Sequence, residues 1–441
     1  METTSSKHSI RYPMTQAFIR MKFSAQVNKD LVFNNLLHQL NPDFLKRAYQ
    51  SLDGHKAKGR DGITKAVYGK DLDNNIMKLH QSLHDMAYRP SPSRQVLIPK
   101  ENGKTRSLAI SNFEDKIVQK AVSDILIALY EPLFVNASLG FRPKRGCHTA
   151  ISTLYRQLGN NNLPYIVDID IEKFFDTIDH NLLIDFLKKR ISDSRFLRTI
   201  WKLLKPGIVS VDGDMVDNTI GSPQGSIASP VLANIFLHYV LDLWFQEEFG
   251  KQGSKMVRYA DDVIFGFRRK KQAEEFLEAC RSRMLEFGLK LNDSKTKIID
   301  FHQKKHETFN FLGFSFFWGK DRTGHSLLKL KTKAEKLRKA IQTFKVWIKE
   351  NRNRKNLSVL WEEAKAIIRG HYAYFGVSYN QKVWAYHTIC KQAFFKWINR
   401  RSQKHSMNWQ RFQKRLADNP WPIPYGAYVL DLTQGNLAYD Y

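Results

Sequence analysis

Four aspartates stand in segments whose other residues read as core. In Tyr165-Ile166-Val167-Asp168-Ile169-Asp170-Ile171 two carboxylates alternate along a β-branched run, so on a strand both point to the same face. In Val257-Arg258-Tyr259-Ala260-Asp261-Asp262-Val263-Ile264-Phe265 two more stand side by side between apolar flanks. Charges in such surroundings cost several kcal/mol each unless they are paired or bound to metal. Carboxylate oxygens without histidine or thiolate partners favour hard ions, Mg²⁺ or Mn²⁺ over Zn²⁺. Two such ions about 3.5–4 Å apart suit in-line phosphoryl displacement, one activating the attacking hydroxyl and the other neutralising the leaving group. An isolated Asp-Asp pair is usually a turn and nothing more. The second acidic strand upstream is what raises it to candidate chemistry.

The elements that must position these acids are legible in outline. The run over 165–171 predicts a buried strand, and 257–265 predicts two short strands broken at a turn. Gln95-Val96-Leu97-Ile98-Pro99-Lys100 reads as a strand, Glu101-Asn102-Gly103-Lys104 as a turn, and Thr105-Arg106-Ser107-Leu108-Ala109-Ile110 as the returning strand of a hairpin. Helical spacing predicts helices over 114–134, 182–189 and 271–287. From about Lys29 to Asp85 apolar positions such as Leu31, Phe33, Leu36, Leu37 and Leu40 recur at helical spacing, interrupted by a basic, glycine-containing loop from Gly54 to Gly62. Beyond Lys331 the chain reads as helical, with Leu337, Ile341, Phe344 and Ile348 on one face. The fold class expected is α+β, an alternating core with an all-α appendage.

Composition narrows the partners. The chain has 441 residues and a formal net charge of +27; such an excess opposes compaction and is usually offset by a polyanion. From Phe301 to Tyr441 there are 26 Lys plus Arg against 9 Asp plus Glu, together with seven of the nine Trp. Cations interleaved with aromatic faces suit phosphate gripping and base stacking, although a single Trp at helical spacing is more often core. Cys147, Cys280 and Cys390 are far apart and make neither a disulfide framework nor a zinc knuckle. No apolar run reaches membrane-spanning length and the first residues lack the pattern of a signal peptide, so a soluble, cytoplasmic protein is expected.

With these residues assembled, the sequence resembles the reverse transcriptases, specifically the bacterial group II intron type often called intron maturases. Tyr259-Ala260-Asp261-Asp262 is similar to the family's YxDD turn, and Asp170-Ile171-Glu172-Lys173-Phe174-Phe175-Asp176 to its first acidic motif. Gly221-Ser222-Pro223-Gln224-Gly225 with Ala228-Ser229-Pro230 resembles the loop facing template and nucleotide. Phe141-Arg142-Pro143 with Arg145-Gly146, Phe311-Leu312-Gly313-Phe314, Gly370-His371-Tyr372 and Asn399-Arg400-Arg401-Ser402-Gln403 match further blocks. Ala109, Ser111, Ser222 and Ile227-Ala228 depart from the residues common among relatives; these changes bear on subclass and leave the metal site untouched.

The resemblance implies a right-hand polymerase: an N-terminal extension over 1–65, fingers and palm over 66–325, and an all-α basic thumb and maturase domain over 326–441. Asp170, Asp261 and Asp262 would hold two Mg²⁺ ions, with Mn²⁺ as a substitute; Asp168, on the same strand face, is the runner-up ligand, with a structural role as its first reading. Phe174, or Phe175 as a close alternative, would pack beneath the incoming sugar and exclude a 2′-hydroxyl, and whichever ring is not the gate is core. Lys100 and Arg106 would clamp the triphosphate, or else be solvated hairpin charges. Gln224 and Gly225 would pass beside the base pair. Lys295 would protonate the leaving pyrophosphate or be a plain surface lysine. Phe311 to Phe314 would hold the primer end or form a short core strand. The activity implied is RNA-directed DNA polymerisation, with RNA template, DNA primer or target DNA and deoxynucleoside triphosphates as partners. Binding and splicing of an intron RNA would accompany it. A free-standing enzyme of phage defence or DNA repair, and a non-catalytic splicing factor, are the alternatives. Monomer and dimer both remain open.

Overall fold

The computed structural model of the chain describes residues 15–99, 105–216, 220–222, 224–401, 407–426 and 429–433. Lys100, the turn Glu101-Asn102-Gly103-Lys104, Pro223, Ser402 and Gln403, singled out above, lie outside the described residues.

Helices and sheets mix as an α+β fold. The strands are β1 (Ser93–Pro99), β2 (Thr105–Ile110), β3 (Tyr165–Ile169), β4 (Ile208–Val209), β5 (Met215–Val216), β6 (Lys255–Tyr259), β7 (Asp262–Phe267), β8 (Lys297–Asp300), β9 (Phe309–Phe311), β10 (Phe314–Lys320) and β11 (Ser326–Thr332). They form three sheets, ordered β2-β1-β4-β5, β6-β7-β3-β8 and β11-β10-β9. The β1–β2 hairpin is antiparallel, with Gln95 opposite Ala109 and Ile98 opposite Arg106, as the alternating pattern predicts. The second sheet carries the acidic strands. Its centre, β3, is flanked by antiparallel β7 and β8. Ile166, Val167 and Ile169 of β3 are buried, which makes β3 a doubly covered central strand.

The helices Phe113–Tyr130, His180–Lys188 and Lys270–Glu286 agree with the sequence reading to within a few residues. After β11 the chain is helical: Ala334–Asn351, Leu357–Phe375, Lys382–Ile398 and Trp409–Asp418. These four enclose their own apolar cluster around Phe344, Trp361, Tyr372, Phe394 and Trp421. Lys331 itself lies in β11, so the helical part starts slightly later than its sequence suggests.

One expectation fails. Leu31 to Leu40 is not an α-helix; only a 3-10 turn spans Leu37–Gln39, while Phe33 bridges to Ile191 in extended form. Distant side chains satisfy the backbone there. Asp193 Oδ2 accepts from the amides of Leu36 and Leu37, both at 2.8 Å. The buried Arg190 guanidinium donates to the carbonyls of Ala25 at 3.0 Å and Leu31 at 3.3 Å. Partners more than a hundred residues away thus replace the local bonds that a helix would have made. The helix Gln16–Val27, capped by the Thr15 hydroxyl, lies just before this segment.

Candidate active site

Register alone brings three carboxylates together. Ile169 pairs with Val263 across β3 and β7, and Tyr259 pairs with Asp262 across β6 and β7. The turn Ala260-Asp261 therefore sits beside Asp170, the residue that follows β3. Ala260 takes φ +59°, in the left-handed region, which lets a two-residue turn join the strands. Asp170 is fixed through its backbone: its amide donates to Thr296 Oγ1 at 3.3 Å and its carbonyl accepts from Asn292 N at 2.8 Å.

The electrostatics are those of a site that lacks positive charge. Burial, then repulsion from Asp261 and Asp170, pushes the Asp262 carboxyl up to about 6, against a smaller pull from Lys295. Asp262 is open to solvent on one side and backed by protein on the other, as at the floor of a cleft. Asp261 is raised mainly by burial, with Arg106 among the groups opposing the shift. Asp168 rises to about 7, chiefly by burial, although Lys297 opposite it on β8 pulls the other way.

Among the described residues no three His, Cys, Asp or Glu groups already stand in coordinating geometry. Lys295 Nζ donates to both carboxylate oxygens of Asp170, at 3.1 and 3.0 Å. An all-oxygen donor set of mutually repelling carboxylates fits a hard divalent ion.

Arg106, whose charge acts on Asp261, links strand β2 to two neighbouring segments. Arg106 Nε donates to Gln224 Oε1 at 2.8 Å, and Gln224 Nε2 donates to Asp176 Oδ1 at 3.0 Å. The hairpin, the Gln-Gly loop and the first acidic motif are thereby joined side chain to side chain. The Ala109 amide also donates to the Gln224 carbonyl at 2.7 Å. Gly225 takes φ +117°, and a Cβ there would fall 2.6 Å from the Ala109 carbonyl oxygen; only glycine permits that approach. Of the two candidate gate rings, Phe174 is 2% exposed and packs on Phe236, deep in the main core. Phe175 is half-buried, and its carbonyl accepts from Ser222 N at 2.7 Å. Phe311 and Phe314 are likewise core, and Leu312-Gly313 forms the turn between them, held by Tyr374 Oη donating to the Leu312 carbonyl at 3.0 Å.

The sequence reading gave no role to the support beneath the turn. Arg258 and Asp242 are both fully buried. Arg258 Nε donates to Asp242 Oδ1 at 2.7 Å, while its Nη1 donates to Asn234 Oδ1 at 2.9 Å and to the Ala260 carbonyl at 3.1 Å. Asp242 reaches this position from a π-helical stretch, His238–Asp242, a distortion frequent at functional sites. Asn234 Nδ2 donates to the Gly140 carbonyl at 2.7 Å. The signal was present in sequence as single charges, Asp242 and Arg258, each flanked by apolar or aromatic residues.

A Cβ on Gly140 would lie 2.4 Å from Ala260 N and 2.9 Å from the Tyr259 carbonyl carbon. Gly140→Ala is therefore expected to displace the acidic turn and reduce nucleotide transfer by about 10²-fold. The accompanying loss of stability should be only about 1–3 kcal/mol. Parallel rate and urea-unfolding measurements check this; an unchanged rate would show that the turn does not need that contact.

The sequence matches the family described as reverse transcriptase (RNA-dependent DNA polymerase) over residues 98–316. It is 33% identical to Protein YkfC of Escherichia coli (strain K12) over 320 residues, 64% of this chain and 82% of that protein. The chain belongs to the group II intron-type reverse transcriptases. It is also 40% identical to the group II intron-encoded protein LtrA of Lactococcus lactis subsp. cremoris over 221 residues, 50% of this chain and 36% of LtrA. The putative COX1/OXI3 intron 2 protein of Saccharomyces cerevisiae is 36% identical over 227 residues, 50% of this chain and 26% of the yeast protein. The matched stretch is thus only about a third of LtrA's length. The family match contains all three acids, Arg106 and the Gln224-Gly225 loop.

In the basic last third the aromatics divide by burial. Trp361 and Trp421 are core, whereas Trp384 and Trp409 are exposed. Trp397 lies between two guanidiniums, Arg352 at 4.6 Å and Arg400 at 5.4 Å. Among the described residues no helix is long and apolar enough to cross a membrane.

Proposed function

We propose that the chain is an RNA-directed DNA polymerase that also binds an intron RNA and assists its splicing and mobility. The observation that carries the first part is the convergence of Asp170, Asp261 and Asp262 at one end of β3 and β7, beneath the Arg106–Gln224 bridge. The relatives' names, group II intron-encoded protein and intron protein, support the second part. Residues 66–325 act as fingers and palm, preceded by an N-terminal extension over 1–65. Residues 326–441 act as thumb and RNA-binding maturase domain, whose surplus of cations suits phosphate contacts.

Asp170, Asp261 and Asp262 hold two Mg²⁺ ions, which supply charge neutralisation at the attacking 3′-hydroxyl and at the leaving pyrophosphate. Everything else falls to the chain's own groups. Arg106 faces the triphosphate together with Lys100, and Gln224 positions Arg106 while Gly225 lets the backbone pass beside the new base pair. Lys295, whose Nζ donates to both Asp170 carboxylate oxygens, would give a proton to the leaving pyrophosphate. The burial of Phe174 favours its half-buried neighbour Phe175 as the gate over Phe174 itself.

Two outcomes test the reading. A DNA primer annealed to an RNA template is extended with deoxynucleotides and Mg²⁺, and excess EDTA abolishes extension. Phe175→Ala accepts ribonucleotides with discrimination reduced about 10–200-fold, the range that one pocket contact supplies. Loss of discrimination in Phe174→Ala instead would return the gate to the buried ring. Failure of the wild type to extend any primer would overturn the polymerase reading.

A further inference from the structure

A second cavity, of about 760 Å³, lies at the end of the central sheet opposite the acids. It opens where β3 begins and β8 ends: Pro164 and Asp300 line it, whereas Asp170 and Thr296 stand at the other ends of the same two strands. At about 3.3 Å per residue, the six steps from Pro164 to Asp170 separate the two sites by roughly 20 Å. The polymerase mechanism uses none of this cavity.

Its walls divide by chemistry. One is apolar and aromatic: Leu158 and Leu163 are buried, and Trp318 is half-buried with its indole N–H donating to the Phe301 carbonyl at 2.8 Å. The other carries His302, Lys304 and Lys305, and the two lysines are exposed. The one acid of the lining, Asp300, is already engaged by His302 Nδ1, and that hydrogen bond holds its carboxyl below the usual range. Lys305 Nζ stands 3.9 Å from Asp300, while Lys304 makes no ion pair among the described residues. The volume falls within the range of small-ligand pockets. A flat aromatic group against an indole with a phosphate against lysines is the chemistry of nucleotide recognition.

The exposed edge of the cavity has a further property. Gly159 belongs to the helix Cys147–Asn161, yet a Cβ placed on it would meet nothing within 4 Å. Glycine inside a helix costs about 1 kcal/mol relative to alanine, and here neither backbone crowding nor a positive φ requires it. Gly159 is exposed, so a bulky side chain there would stand at the mouth of the cavity.

We infer that this cavity binds one nucleoside monophosphate unit, either as a free nucleotide or as an unpaired residue of an RNA strand. The two sources share base stacking and a phosphate on Lys304 and Lys305. The site needs no divalent ion, which separates it from binding at the three acids.

The test uses the full chain in excess EDTA, with adenosine monophosphate by calorimetry and a 5-iodouridine-substituted single-stranded 15-mer RNA by photocrosslinking. A free nucleotide is indicated by saturable binding of adenosine monophosphate, weakened at least tenfold in Gly159→Phe and in the Lys304→Ala, Lys305→Ala double variant. A strand residue is indicated by a crosslink at Trp318 that both variants lose, without affinity for the mononucleotide. Thermal unfolding of each variant shows whether it folds; the lysine pair, on exposed chain, serves should Gly159→Phe not fold. If the mononucleotide does not bind and no crosslink maps to the cavity, or if neither signal responds to the variants, the inference is wrong. None of these readouts requires polymerisation, so their failure leaves the polymerase reading untouched.

Discussion

Asp242→Ala will lower the unfolding free energy by about 3–5 kcal/mol, more than any substitution at the acids themselves. The reason is the stranded partner. Arg258 has no exposure and cannot shed its charge, and alanine removes the carboxylate that it bonds. Asn234 and the Ala260 carbonyl remain as acceptors but carry no full charge. Because Arg258 also holds Ala260, the acidic turn should loosen, and transfer should fall even at temperatures where the variant is folded. A matched apolar pair, Asp242→Leu with Arg258→Met, is expected to recover much of the stability, since exchanging both partners of a buried pair is often neutral. It should not recover the rate, because the bond to Ala260 is gone. Urea unfolding and single-turnover rates on the single and double variants check both halves.

Asp262→Asn is expected to reduce nucleotide transfer by at least about 10³-fold, the cost of losing several kcal/mol of transition-state charge stabilisation. Its effect on stability should have the opposite sign. Burial and its neighbours hold the Asp262 carboxyl at about 6, above the ~3.9 of an unfolded aspartate. A carboxyl raised on folding contributes stability that is fully present below the unfolded value and is lost as pH rises through the folded one. In EDTA the wild type should therefore lose stability between about pH 4 and 6. Asp168, raised to about 7, extends the decline upward. Asp262→Asn should flatten the part due to Asp262, and saturating Mg²⁺ should abolish that same part in the wild type by binding the ionised form. Thermal unfolding across pH 4–8, with and without Mg²⁺, reads all three. A wild-type curve that rises over that window in EDTA would contradict the electrostatic account.

The sequence exposed the site more fully than the scaffold around it. Alternation in 165–171 and the break at 260–261 defined three strands and a turn, and strand pairing needs little else to bring Asp170 against Asp261 and Asp262. The β1–β2 hairpin was equally plain, because Glu101-Asn102-Gly103-Lys104 separates two β-rich runs. What periodicity could not show is long-range satisfaction of backbone. Leu31 to Leu40 has helical spacing but is held extended by Arg190 and Asp193. Nor does spacing show which of two adjacent rings faces the core, and Phe174 rather than Phe175 took that place. The Arg258–Asp242 pair went unassigned because opposite charges sixteen residues apart reveal their contact only once the π-helical turn is folded.

The most direct test of the central claim is extension of a DNA primer on an RNA template with deoxynucleotides and Mg²⁺. The wild type is run beside the Asp261→Ala, Asp262→Ala double variant, and RNA binding is measured on both. Extension by the wild type alone, with RNA bound equally by the two, is the predicted result. RNA bound by both with no extension by either would contradict the account and leave an RNA-binding protein on a polymerase fold.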